Sequence, residues 1–394
     1  MILQSAFAVC GLTVLGMLTA SIAIAKNIVG TETPRRESMR IAAVGADGPI
    51  VVVTLPLSAA TRAPGEYAIW YDHGRGYARV GEVVTVDECA SVVTREVISS
   101  LGSTLRAGQT ARWSGVVPSR PEDLELPFTT VNIPTALGSA PATRFDATPH
   151  PSKPSTWAIH IHGQGATRAG PLRGIPVAHS AGLTSLVVSY RNDQEAPNSD
   201  DRRSMLGQTE WLDVEAALDY AREQGAQSFV LVGWSMGASI ALLLARSSKH
   251  RDLILGLCLV APVTDWRSTI IAGGRNARLP AVLIRLAMHV LADSSLRRTI
   301  QLNETIDLQA LDWIRNGSDL RIPTLVLHSA GDKSVPIELS RQFSEAHKDT
   351  VELVELPATP HTLEWNRDRE LWESALAQWL NRRTDQSRYS YDLL

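Results

Sequence analysis

Gly233-Trp234-Ser235-Met236-Gly237 stands between the apolar run Phe229-Val230-Leu231-Val232 and the helical run Ala238 to Arg246. A serine hydroxyl is a weak nucleophile until it is held in the open beside a base. Small residues at both flanks allow the sharp strand-to-helix turn that presents it at a sheet edge. The helix that begins there aims free backbone N–H groups at developing negative charge. The chemistry that suits this turn is acyl transfer through Ser235; the rival reading of the same five residues is a glycine-bearing turn with no chemistry. His160 and His162 alternate with apolar residues as metal ligands sometimes do, yet no carboxylate or cysteine lies at a partner spacing, so loop packing is the better reading. Cys10, Cys89 and Cys258 lie far apart without ligand spacing, which argues against a disulfide scaffold and a structural zinc.

The elements that must position Ser235 follow from rhythm. After Thr156, apolar runs at Trp157–His162, Ser185–Tyr190, Phe229–Val232, Ile254–Val260, Thr324–His328 and Val351–Leu356 alternate with amphipathic segments at Thr209–Glu223, Ala238–Arg246 and Asp368–Arg382. That alternation predicts a mainly parallel sheet with helices on both faces over residues 156–383. Residues 40–132 read as a small β-rich domain of short runs: Ile50–Leu57, Glu66–Tyr71, Tyr77–Val86, Ser91–Ser99 and Arg112–Val117. Within it, Asp72-His73-Gly74-Arg75-Gly76 predicts a hairpin turn. A stretch rich in Pro, Ser, Ala and Thr, residues 133–155, predicts a linker.

With the serine turn in this frame, the chain resembles the α/β-hydrolase superfamily from about Trp157 to Leu380, whose catalytic order is nucleophile, acid, histidine. The resemblance implies an α/β-hydrolase fold behind the β-rich domain. It nominates Asp332 as the acid, in the strand and loop Arg321 to Pro336, with Asp265 in Ala261 to Trp266 as runner-up. It nominates His361, in the loop Leu356 to Trp365, as the base that the acid orients. His160-Ile161-His162-Gly163-Gln164-Gly165 resembles the family's HGxG-type loop, implying that the N–H of Gln164, or else of Gly165, joins that of Met236 in an oxyanion hole. Val188 to Asp193 and Gly207 to Ala217 resemble membrane-anchored bacterial α/β-hydrolases of unassigned substrate, loosely related to the serine aminopeptidase and dienelactone hydrolase branches. There the Tyr190–Asp193 loop either lines the site or engages Arg191 in a salt bridge. An insertion at about 266–320, holding the apolar run Leu279 to Leu291, is either a lid suited to greasy groups or a helix packed as ordinary core.

The activity this implies is hydrolysis of a carboxylic ester or thioester, on a small-molecule or lipid-like acyl substrate, through an acyl-enzyme and without metal or organic cofactor. The alternatives are a serine peptidase of aminopeptidase type and a membrane-tethered binding protein without turnover. Composition agrees with a folded enzyme: 394 residues, 44% hydrophobic and 20% charged, suffice for a full core. With 38 basic against 41 acidic residues there is no charge excess to drive nucleic-acid binding. Residues 1–25 carry no Asp, Glu, Lys or Arg, and Ala6 to Ala25 is apolar or small throughout, about the length a helix needs to cross a bilayer. Lys26, Arg35, Arg36 and Arg40 follow the run, which predicts a single-pass anchor in the cell membrane with the catalytic domain on the cytoplasmic side. Ala23-Ile24-Ala25 before Lys26 supplies the competing reading, a cleaved signal peptide that places the domain outside.

Overall fold

The computed structural model describes residues 2–31, 36–148, 155–317 and 320–391, with side chains from Leu15 in the first helix to Thr384 in the last. Its larger sheet has eight strands in the order Val351–Leu356, Thr324–Ser329, Ile254–Val260, Ser228–Trp234, Thr156–Ile161, Thr184–Val188, Gly138–Phe145 and Thr129–Thr135. The first six are mutually parallel, and the last two form an antiparallel hairpin on the edge. The central strands are buried along their whole length but for the half-buried Leu255, as expected of runs rich in Val, Leu and Ile that helices cover on both faces. Helices Trp211–Glu223 and Met236–Ser247 pack with the N-terminal helix in one core, and Arg369–Tyr391 covers the opposite face through Trp372, Leu376 and Trp379.

Residues 39–114 form a separate antiparallel sheet of seven strands. The turn expected at Asp72–Gly76 is present, with Asp72, His73 and Gly74 all at positive φ. The expected boundaries need correction downstream. Residues 129–145, divided between the end of the β domain and the start of a linker, are the edge hairpin of the larger sheet. A strand interrupted by Pro134 is tolerated only where its N–H side faces no partner, which is an edge, so edge-strand composition reads in sequence like a linker. Residues 149–154 of that linker lie outside the described residues.

The transmembrane expectation is not shown by the structure. Residues Ile2–Ile28 form a helix, but among the described residues no helix is long and apolar enough to cross a membrane. Side chains 1–14 lie outside the described residues; Leu15 is exposed, and from Ser21 onward the helix packs on protein. Ser21, Ala25 and Val29 are buried, and Ile22, Ile24 and Ile28 pack against the main core beside helix Ala281–Ala292. That second helix lies in the insertion and buries Ile284, Ala287, Met288, Val290 and Leu291, the packed-core alternative for this segment.

Candidate active site

Ser235 sits at the turn between strand Ser228–Trp234 and helix Met236–Ser247, with φ 54° and ψ −115°. A non-glycine residue in this region is strained, and here the glycines around it enforce the strain. A Cβ on Gly233 would lie 2.5 Å from the carbonyl oxygen of Gly237, and one on Gly237 would lie 2.3 Å from that of Ile161. Helix and neighbouring strand therefore approach more closely than any side chain permits. Ser235 N–H donates to the Val260 carbonyl at 2.9 Å, fixing the turn to the next strand.

The Ser235 hydroxyl lies 2.8 Å from His361 Nε2, and His361 Nδ1 donates to Asp332 Oδ2 at 2.5 Å. Asp332 Oδ1 accepts the N–H groups of Ser334 and Val335, and Oδ2 also accepts from His328 Nε2 at 3.1 Å. Burial disfavours this carboxylate, but the hydrogen bonds from His328 and His361 outweigh it and hold Asp332 well below the usual carboxylate range. For His361 burial opposes the charged form, yet the hydrogen bond and charge of Asp332, with the charge of Glu364, raise its pKa above the ordinary value. The acid loop is pressed onto the histidine loop: a Cβ on Gly331 would lie 2.5 Å from Thr359 N, and Ser329 Oγ accepts from that N–H at 2.7 Å.

The alternative acid, Asp265, is engaged elsewhere. Its carboxylate accepts from Ser268 N–H at 3.2 Å and caps helix Trp266–Asn276. The backbone N–H groups of Met236 and Gln164, expected together, have no protein acceptor among the described residues. Gly163 brings their loops into contact, since a Cβ there would lie 3.0 Å from Ser235 Cβ. The loop is held by His162, whose Nδ1 donates to the Gly163 carbonyl at 2.9 Å and whose Nε2 faces Asp193 at 2.8 Å. Tyr190 stacks on His162, and its hydroxyl donates to the Gly163 carbonyl at 3.0 Å. Arg191 takes the salt-bridge alternative, meeting Asp213 through two hydrogen bonds of 2.7 and 3.0 Å.

Three features had no signal in the sequence. The Gln164 side chain donates to the carbonyls of Ile28 and Gly30, at 2.8 and 2.9 Å, tying the Gly163–Gly165 loop to the N-terminal helix. Arg173 is buried with its guanidinium 4.3 Å from the Trp234 ring, and it donates to the Thr362 carbonyl and Asn366 Oδ1, each at 2.8 Å. Glu364 is fully buried, and neither of its carboxyl oxygens hydrogen-bonds to another residue; burial pushes its pKa up to about 7. His328, Asp332 and Glu364 place metal-type donors within 4.8 Å of one another. Asp332 Oδ2 already accepts two hydrogen bonds there and His328 Nδ1 meets Ser340 Oγ, so those donors are engaged within the protein. A second Ser–His contact, His160 Nε2 to Ser185 Oγ at 3.2 Å, is fully buried; burial lowers the His160 pKa to about 3, and its Nδ1 has no acid to orient it. That pair is internal packing.

Comparison with known proteins adds two families. Residues 158–373 match one described as "Alpha/beta hydrolase family", and residues 40–114 match one described as "Domain of unknown function (DUF8805)". No curated protein matches the chain. Among solved structures, the esterase Pf2001 of Pyrococcus furiosus is similar with a TM-score of 0.51 at 20% identity, over 67% of this chain and 94% of that one. Est1E of Butyrivibrio proteoclasticus, solved with ferulic acid bound, is similar with a TM-score of 0.50 at 19% identity, over 64% of this chain and 98% of that one. At these identities the likeness is one of fold.

Proposed function

The chain belongs to the alpha/beta hydrolase family, which it matches over residues 158–373, and on that premise we propose that it is a serine hydrolase cleaving a carboxylic ester or thioester. The observation that carries this reading is the continuous line from Ser235 Oγ through His361 to Asp332, with two unengaged backbone N–H groups beside the serine. Ser235 Oγ attacks the acyl carbon while His361 Nε2 takes its proton; the carbonyl oxygen, now negative, is held by the N–H groups of Met236 and Gln164. The tetrahedral species collapses as the C–O or C–S bond breaks, and His361 returns the proton to the departing alkoxide or thiolate. Water then attacks the acyl-enzyme with His361 again as base, releasing the acid and restoring Ser235. Asp332 stays ionised throughout, fixing the imidazole tautomer and stabilising the imidazolium.

A fluorophosphonate probe followed by peptide mapping tests the reading, since phosphonylation requires an activated serine. Wild-type protein is expected to label at Ser235 and to hydrolyse short-chain p-nitrophenyl esters, and Ser235→Ala is expected to lose both properties. Hydrolysis surviving in Ser235→Ala, or wild-type labelling at another residue, would overturn it. Cleavage of aminoacyl amides in preference to esters and thioesters would move the substrate class to the peptidase alternative.

A further inference from the structure

The loop bearing His361 is not held by the catalytic domain alone. Thr362, the next residue, has φ 58°, a conformation that is a genuine outlier for a β-branched side chain and persists only where its surroundings over-determine it. On one side Arg173 grips the Thr362 carbonyl. On the other side stands the seven-stranded β domain. Leu363 packs against that domain's core of Ile41, Val53, Leu55, Tyr67 and Ile69. It occupies the place of a side chain at Gly115, where a Cβ would lie 2.0 Å from Leu363 Cδ2. Asn366 Nδ2 donates to the Glu66 carbonyl at 2.8 Å, and a Cβ on Gly65 would lie 1.9 Å from the Asn366 carbonyl oxygen. The receiving loop is itself rigid, because the fully buried Arg95 donates to the carbonyls of Thr61, Ala63 and Gly65.

We propose that the β domain is a positioning clamp for the active-site histidine: its core accepts Leu363, its 61–66 loop accepts Asn366, and together they hold the strained Thr362 backbone that aims His361 at Ser235. The inference rests on His361 being the general base, as argued above. Leu363 is a positioning residue, and the β domain contributes to turnover without touching substrate. A histidine released by even a fraction of an ångström loses the alignment on which proton transfer depends.

The test uses the full chain, with Leu363→Ala, Leu363→Met and, as a control for β-domain stability, Val52→Ala, a buried side chain that strand alternation places on the opposite face of the sheet from the core that accepts Leu363. Initial rates on p-nitrophenyl butyrate are normalised to the folded fraction from circular dichroism. Leu363→Ala is expected to lower kcat roughly ten- to hundredfold with KM nearly unchanged, and to broaden the low-field proton resonance of His361 Nδ1–H. Leu363→Met should restore most of the rate, and Val52→Ala should lose thermal stability but keep kcat. Wild-type kcat in Leu363→Ala, or an equal loss of kcat in Val52→Ala, would overturn the clamp. His361→Ala is assayed alongside. If it too keeps its rate, the histidine assignment itself is wrong; if it is inactive while Leu363→Ala is unaffected, the clamp alone fails.

Discussion

Asp332 Oδ2 takes hydrogen bonds from both His361 and His328, so its charge is the centre about which the other groups titrate. Replacing it with Asn removes the acceptor that sets the His361 tautomer, a change expected to lower kcat by about 10⁴. Asp265→Asn, which alters a helix cap, should leave kcat within a fewfold and lower stability by about 1 kcal/mol; parallel kinetics and thermal melts decide, and the opposite order would move the acid to the earlier loop. With His361 as the proposed base, turnover needs its Nε2 neutral, so kcat/KM should rise with pH through a pKa above the ordinary 6.5. Glu364 contributes to that elevation and itself titrates near 7. Glu364→Gln is therefore expected to move the limb to lower pH with turnover retained, and a pH profile whose limb stays in place would refute the electrostatic link. Stability takes opposite signs at the two groups. The raised His361 pKa stabilises the fold below its unfolded value, and this is lost as pH rises through the folded one. The depressed Asp332 pKa stabilises above about 3.9 and is lost as pH falls.

At the scale of elements, the serine turn depends on a helix and a strand in van der Waals contact. Gly237→Ala would place a Cβ 2.3 Å from the Ile161 carbonyl oxygen and 2.7 Å from that of His162. Backbone cannot yield cheaply there, so this substitution should cost several kcal/mol and displace the Met236 N–H. Melting temperature and probe-labelling rate are expected to fall together, and an unchanged melt would contradict so close an approach. Strand, turn and helix around Ser235 were legible because each has a local cause: an apolar run, flanking glycines and a helical period. The strands at Ile254–Val260 and Val351–Leu356 fall where the apolar runs end for the same reason. The edge hairpin at 129–145 was not legible, since an edge strand with Pro134 carries linker composition. Nor was the docking of Ile22, Ile24 and Ile28, because the same apolar helix face satisfies a bilayer or a protein core, and only the tertiary partner decides.

At the scale of the whole molecule, three bodies meet around one line of hydrogen bonds. Through Gln164 the N-terminal helix ties to the loop proposed to hold the oxyanion. The β domain also shares a core with the catalytic domain, in which Ala68, Tyr77 and Val117 lie with Trp365, Trp234 and Trp372. A boundary with that much common apolar surface should not melt as two units, although multidomain chains commonly do. Calorimetry is expected to give one transition whose van't Hoff and calorimetric enthalpies agree, and two resolved transitions in the wild-type protein would contradict the shared core. Arg173 is the polar junction in that boundary: it stacks on Trp234, reaches Thr362, and meets Asn366, which in turn reaches Glu66 of the β domain. Burial lowers its pKa only to about 10, so it remains charged at neutral pH and its acceptors hold a cation. Arg173→Met keeps much of the apolar stem but leaves the Thr362 carbonyl and Asn366 Oδ1 without that donor, at roughly 1–3 kcal/mol for each group left buried and unpaired. Because both acceptors lie between the domains, the loss should fall on their coupling. The single transition should broaden or split, while Asn366→Ala combined with Arg173→Met should cost less than the sum of the two changes, the non-additivity expected of residues in contact.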